Sequence, residues 1–106
     1  MNRIYIAGPY TEGDVARNVK AAIDAANELI ELGFAPYVPH LSHFLHMAHP
    51  QPYGIWMGLD MVWQSQCHAV LRLPGPSSGA DTETRTAKIV GMPVFHSISE
   101  LVEAMK

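Results

Sequence analysis

With 106 residues, 48% of them hydrophobic, the chain is within the usual range for one domain and can build a real if modest core. A formal net charge of −3, a pI near 6.0 and the lack of any basic run argue against a nucleic-acid or anionic-membrane surface, so a small soluble molecule is the expected partner. No apolar stretch approaches the ~20 residues that span a bilayer. Met1 to Tyr5 lead straight into a strand without a signal-peptide pattern, and a lone cysteine, Cys67, excludes an internal disulfide framework. The expectation is one cytoplasmic domain over residues 1–106.

Arg3 to Ala7 is a run of strand formers ending in the turn Gly8-Pro9-Tyr10-Thr11. From about Asp14 to Leu32 the apolar positions Val15, Val19, Ala22, Ile23, Ala26, Leu29 and Ile30 recur with helical period, and Gly33 follows as a C-terminal cap. Phe34 to Val38 reads as a second strand, and a strand-helix-strand unit of this length makes a right-handed parallel crossover. Pro39 to Pro52, rich in His and Pro, reads as an irregular excursion, and excursions of this length in compact domains tend to carry function. A helix from about Tyr53 to Ser65 is expected to use Ile55, Trp56, Leu59, Val62 and Trp63 as its apolar side, with Asp60 between the tryptophans. His68 to Leu73 and Gly91 to Phe95 give two further strands, and Ile98 to Lys106 a last helix capped by Ser97 or Ser99. The alternation predicts an α/β fold: a three-layer α/β/α sandwich with a short parallel sheet of about four strands, flavodoxin-like or Rossmann-like. Ligands of such sheets bind outside the carboxyl ends of the strands, which brings the Gly8 turn, His40 and the Pro74 to Ser78 turn onto one rim.

On that rim one acid lacks a structural explanation. A helix opening after Gly79 aligns Ala80, Glu83, Ala87 and Val90 on an inward stripe whose only charge is Glu83. Ser78 and Asp81 read as a capping pair, whereas Glu83 has no such duty. In the first turn of a helix its ionised form would be favoured, leaving it available as a nucleophile. Ser77, Ser78 and Gly79 supply groups for a hydroxyl or a phosphate. Asp60 offers the second carboxylate that glycosidic-bond chemistry uses.

Together Ile4-Tyr5-Ile6-Ala7-Gly8-Pro9-Tyr10, Asp60 on a helix, Cys67-His68-Ala69-Val70, Ser77-x-Gly79-x-x-x-Glu83 with Ala87, and Gly91-Met92-Pro93-Val94 resemble the nucleoside 2-deoxyribosyltransferase-like superfamily, which includes deoxynucleoside 5′-monophosphate N-glycosidases. The resemblance covers nearly the whole chain in order. It implies cleavage of an N-glycosidic bond, by hydrolysis or base exchange, through a glycosyl-enzyme intermediate. Glu83 would be the nucleophile, Asp60 its acidic helper and Tyr5 a neighbour of the carboxylate, with Gly8 and Tyr10 lining the sugar or base pocket and Ser77 at the phosphate position. The alternative is a nucleotide-derivative binding module without catalysis. Homo-oligomerisation is expected from the resemblance and from two tryptophans on so small a domain.

His40, His43, His46 and His49 recur every third residue, but that period drifts by about 60° per step around an α-helix, so four could not converge on one ion. No metal and no cofactor is expected. His40, directly after the second strand, is the best of the four for a base or sugar contact, and His43 the next. Arg17 and Asn18 read as solvated, with an anion contact across the Gly8 turn as the alternative.

Overall fold

The computed structural model describes residues 1–106. In chain order the elements are β1 (Arg3–Ala7), α1 (Val15–Glu31), β2 (Ala35–Tyr37), a 3-10 turn (Pro39–Leu41), α2 (Ser42–Ala48), α3 (Tyr53–Ser65), β3 (Ala69–Arg72), α4 (Ser78–Ile89), β4 (Val94–Phe95) and α5 (Ile98–Met105). All strand pairs are parallel and the order across the sheet is β2-β1-β3-β4, as the flavodoxin-like reading expects. Successive side chains of a strand point to opposite faces, and this alternation makes two cores. Ile4, Ile6, Ala69 and Leu71 pack with Ala22, Ala26, Leu29 and Leu101 on one face, while Tyr5, Ala7 and Val70 pack with Ala80 and Ala87 on the other. Tyr5 thus belongs to the layer shared with α4.

Three helix starts, those of α1, α4 and α5, are capped by a side chain. Asp14 accepts from the Arg17 amide to cap α1, and Ser97 accepts from the Glu100 amide to cap α5, which decides between the two candidate serines. At α4 the cap is Ser77, whose Oγ accepts from the Ala80 amide at 3.1 Å, and not Ser78, which is the first helical residue. Asp81 pairs with Arg72 at 3.0 Å instead of closing a capping box. Val90 is the C-terminal cap and 69% exposed, so the inward stripe is Ala80, Glu83 and Ala87 alone.

Three further expectations are corrected. In α1 the buried residues are Ala22, Ala25, Ala26 and Leu29, and Ile23 and Ile30 are exposed, because small side chains let this helix lie close on the sheet. Residues 39–48 are ordered into the 3-10 turn and α2, so the stretch after β2 is largely helical and not irregular. Of the expected apolar side of α3, Ile55, Leu59, Val62 and Trp63 are exposed while Trp56 is half-buried, and the only buried residue of the helix is Gln64. The inward stripe is instead Met57, Asp60 and Gln64, continued at the same i, i+4, i+7, i+11 spacing by Tyr53, which is 66% exposed at the start of the helix. No helix is long and apolar enough to cross a membrane.

Candidate active site

At the carboxyl rim of the sheet a cavity of about 440 Å³ opens, within the size range of small-molecule sites. Gly8, Tyr10, His40, Asp60, Ser77, Ser78, Gly79 and Glu83 all face it. Tyr5 does not. It is fully buried beneath the cavity floor, where its hydroxyl donates to Glu83 Oε2. The Tyr5 ring is held by a stack that continues through Tyr37 to Trp63, with centroid separations of 5.7 and 5.6 Å.

Glu83 is 5% exposed and stands in the second turn of α4, since the helix opens at Ser78. The helix field fades within the first turn, so the favoured ionised form expected from position alone does not hold. Burial dominates and raises the Glu83 pKa to about 7, opposed by the Tyr5 hydrogen bond and Arg72 and reinforced by the charge of Asp60. Burial also lifts Asp60 to about 7. Two acids are therefore poised near neutrality, and only Glu83 has a hydroxyl donor to stabilise its anion. The Tyr5 phenol is pushed far up by burial and by both acids, so it remains a donor.

Two side chains that the sequence reading did not single out fix this arrangement. Gln64 is 3% exposed and donates through Nε2 to the Glu83 carbonyl at 2.8 Å, tying α3 to α4 one turn beyond Asp60. Tyr53 stands against the start of α4, where a Cβ on Gly79 would lie 3.1 Å from its hydroxyl, so the absence of a side chain at Gly79 allows the close approach. At Gly8 a Cβ would meet that of Leu73 at 3.0 Å, which lets the β1 and β3 ends converge below the cavity. The i, i+7, i+11 spacing of Tyr53, Asp60 and Gln64 is the signal that would have found two of these residues.

Another wall is aromatic. His40 is 4% exposed, and its Nε2 lies 3.0 Å from the Pro9 carbonyl, an acceptor that places the proton on Nε2. Burial lowers its pKa, the neutral ring follows, and Nδ1 is left as a buried acceptor without a partner. Tyr10 bonds through its hydroxyl to His43 Nδ1, and Trp56 donates to His46 Nδ1 at 2.9 Å. His40, His43, His46 and Trp56 all border the cavity. His49 is the C-terminal cap of α2, and no group of three or more His, Cys, Asp or Glu side chains is arranged to hold a metal ion. Arg17 is exposed, and Asn18 donates to the carbonyls of Tyr10 and Glu12 at 3.0 and 2.8 Å, pinning the β1–α1 loop. His68, at the opposite end of the sheet, exchanges two bonds of 2.8 Å with Arg3, far from the cavity.

Residues 2–97 match the family described as "Domain of unknown function (DUF7768)". The chain belongs to that family. No curated protein sequence matches it. Among solved structures, this DUF7768 domain is similar to a 2-deoxyribosyltransferase from the psychrotolerant bacterium Bacillus psychrosaccharolyticus, with a TM-score of 0.67 and 18% identity over 91% of this chain and 75% of that one. At that identity the likeness establishes a shared α/β fold.

Proposed function

We propose that the chain cleaves the N-glycosidic bond of a nucleoside or nucleoside 5′-monophosphate, by hydrolysis or base exchange, through a glycosyl-enzyme on Glu83. The observation that carries the reading is a pair of acids, buried Glu83 and half-buried Asp60, on one cavity at the carboxyl rim, with a phenol donating to Glu83. The Tyr5 hydrogen bond keeps Glu83 the anion and aims it, and Asp60, lifted by burial, keeps the proton. The Glu83 oxygen forms a bond to the anomeric carbon as the bond from that carbon to the base breaks. The electron pair of the broken bond leaves on the base nitrogen, which takes the Asp60 proton. Water or a second base then displaces Glu83, and Asp60 recovers its proton from the incoming nucleophile. Trp56 and the histidines form an aromatic flank for a planar base. The structural likeness to a 2-deoxyribosyltransferase supports the same chemistry.

Incubation with a panel of nucleosides and their 5′-monophosphates, with and without a second free base, is expected to show base release by chromatography. Exchange into a new nucleoside when the second base is present identifies a transferase. Binding in calorimetry with neither release nor exchange would contradict the reading in favour of a non-catalytic binding module.

The reading includes self-association. Ile55, Leu59, Val62 and Trp63 of α3 and Phe44, Leu45 and Met47 of α2 are all exposed, and a soluble monomer rarely leaves so many large apolar side chains to water. A second copy of the chain is the expected cover. Sedimentation is expected to give a dimer or larger assembly that Val62→Glu dissociates, and a concentration-independent monomer would refute it.

A further inference from the structure

The start of α4 is already occupied by an anion that belongs to the chain. Glu12, in the loop after β1, accepts a hydrogen bond from the Ser78 amide at 2.9 Å through Oε1, sixty-six residues away in sequence. The contact is built from both sides. Asn18 holds the Glu12 carbonyl at 2.8 Å and the Tyr10 carbonyl at 3.0 Å, and Asp14 caps the helix that carries Asn18. Ser77, the other group at this helix start, accepts from the Ala80 amide. A free helix start attracts phosphate because its amides point outward with a partial positive charge. Here that charge faces a carboxylate, and Glu12, Ser77 and Ser78 all border the cavity that holds Glu83.

The sheet order fixes how a nucleoside would lie. His40 follows β2 and Ser77 follows β3, and β1 runs between those two strands, so the aromatic flank and the helix start stand on opposite sides of the β1 loop. A base against the aromatic flank and an anomeric carbon at Glu83 send the 5′ end of the sugar toward Ser78 and Glu12. Glu12 Oε2 makes no hydrogen bond within the chain, so it can accept from a hydroxyl, while a phosphate, which brings acceptors and negative charge, is repelled by the same oxygen. We propose that Glu12 makes this pocket selective for nucleosides carrying a free 5′-hydroxyl over their 5′-monophosphates. The proposal rests on the glycosidase reading for the orientation of the sugar.

The experiment measures the affinity of a nucleoside and of its 5′-monophosphate by calorimetry at fixed ionic strength, together with their base release. The proteins are the wild type, Glu12→Gln, which keeps an oxygen for the Ser78 amide, and Glu12→Ala, with melting temperatures as the control for folding. The wild type is expected to bind the nucleoside about tenfold or more tightly than the monophosphate, and both variants to shift that ratio at least about tenfold toward the monophosphate. A wild type that binds the monophosphate as tightly as the nucleoside, variants with an unchanged ratio, or no binding of either compound would overturn it. Binding that follows the expected ratios without any base release would sink the glycosidase reading and leave the selectivity of Glu12 standing.

Discussion

Glu83→Gln is expected to abolish base release, with a loss on the order of 10⁴-fold, while the fold and substrate binding persist. The amide oxygen still accepts from Tyr5, so the pocket keeps its shape, but no oxygen remains that can form a glycosyl ester. The same variant reports on the ionisation of the site. Burial raises the folded-state pKa of Glu83 to about 7, above the range of an unfolded carboxyl, so the folded chain binds more protons between those two values. That sign makes the Glu83 contribution to stability fully present below the unfolded value and lost as pH rises through about 7. Gln carries no charge to bury. Glu83→Gln is therefore expected to exceed the wild type in stability by about 1–2 kcal/mol at pH 8 and to lose that advantage near pH 4, as urea unfolding at both values will show. Equal stability of the two proteins at pH 8 would mean that the Glu83 charge is not desolvated.

Asp60→Asn is expected to slow release of an ordinary base by about 10²–10⁴-fold, because the leaving nitrogen then departs without its proton. The loss should depend on the leaving group. A purine already cationic through N7 methylation needs no proton, so its release should survive the substitution largely intact. The pH profile changes with it. In the wild type kcat/KM should form a bell near neutrality, since one acid of the pair must be ionised and the other protonated and burial lifts both to about 7. Asp60→Asn should remove the fall on the alkaline side. Equal losses for cationic and neutral bases would assign Asp60 to positioning and not to proton transfer.

What was legible in the sequence was local. The β1 run and its Gly8 turn, the period of α1 and the Ala80, Glu83, Ala87 stripe are written in neighbouring residues, and they suffice to bring Glu83 to the carboxyl rim. The cap fell on Ser77 and not Ser78 because the two are equally able caps, and only the extended backbone at Ser77, with φ −164 and ψ 112, decides between them. The helix therefore opens at Ser78, two residues before the start expected after Gly79, which puts Glu83 in the second turn, where burial outweighs the helix field. The orientation of α3 could not be read from hydrophobicity, because Ile55, Leu59, Val62 and Trp63 are exposed and its inner stripe carries Asp60 and Gln64. Gln64 on the Glu83 carbonyl and Glu12 on the Ser78 amide join residues 19 and 66 positions apart, and no local pattern announces either contact.

The most direct measurement is mass spectrometry of the protein quenched in acid during turnover of a nucleoside. A transient gain of one glycosyl residue is expected, mapping after digestion to the peptide that contains Glu83 and missing from Glu83→Gln. Base release by the wild type with no adduct at any quench time, or with the adduct on another residue, would contradict a glycosyl-enzyme on Glu83.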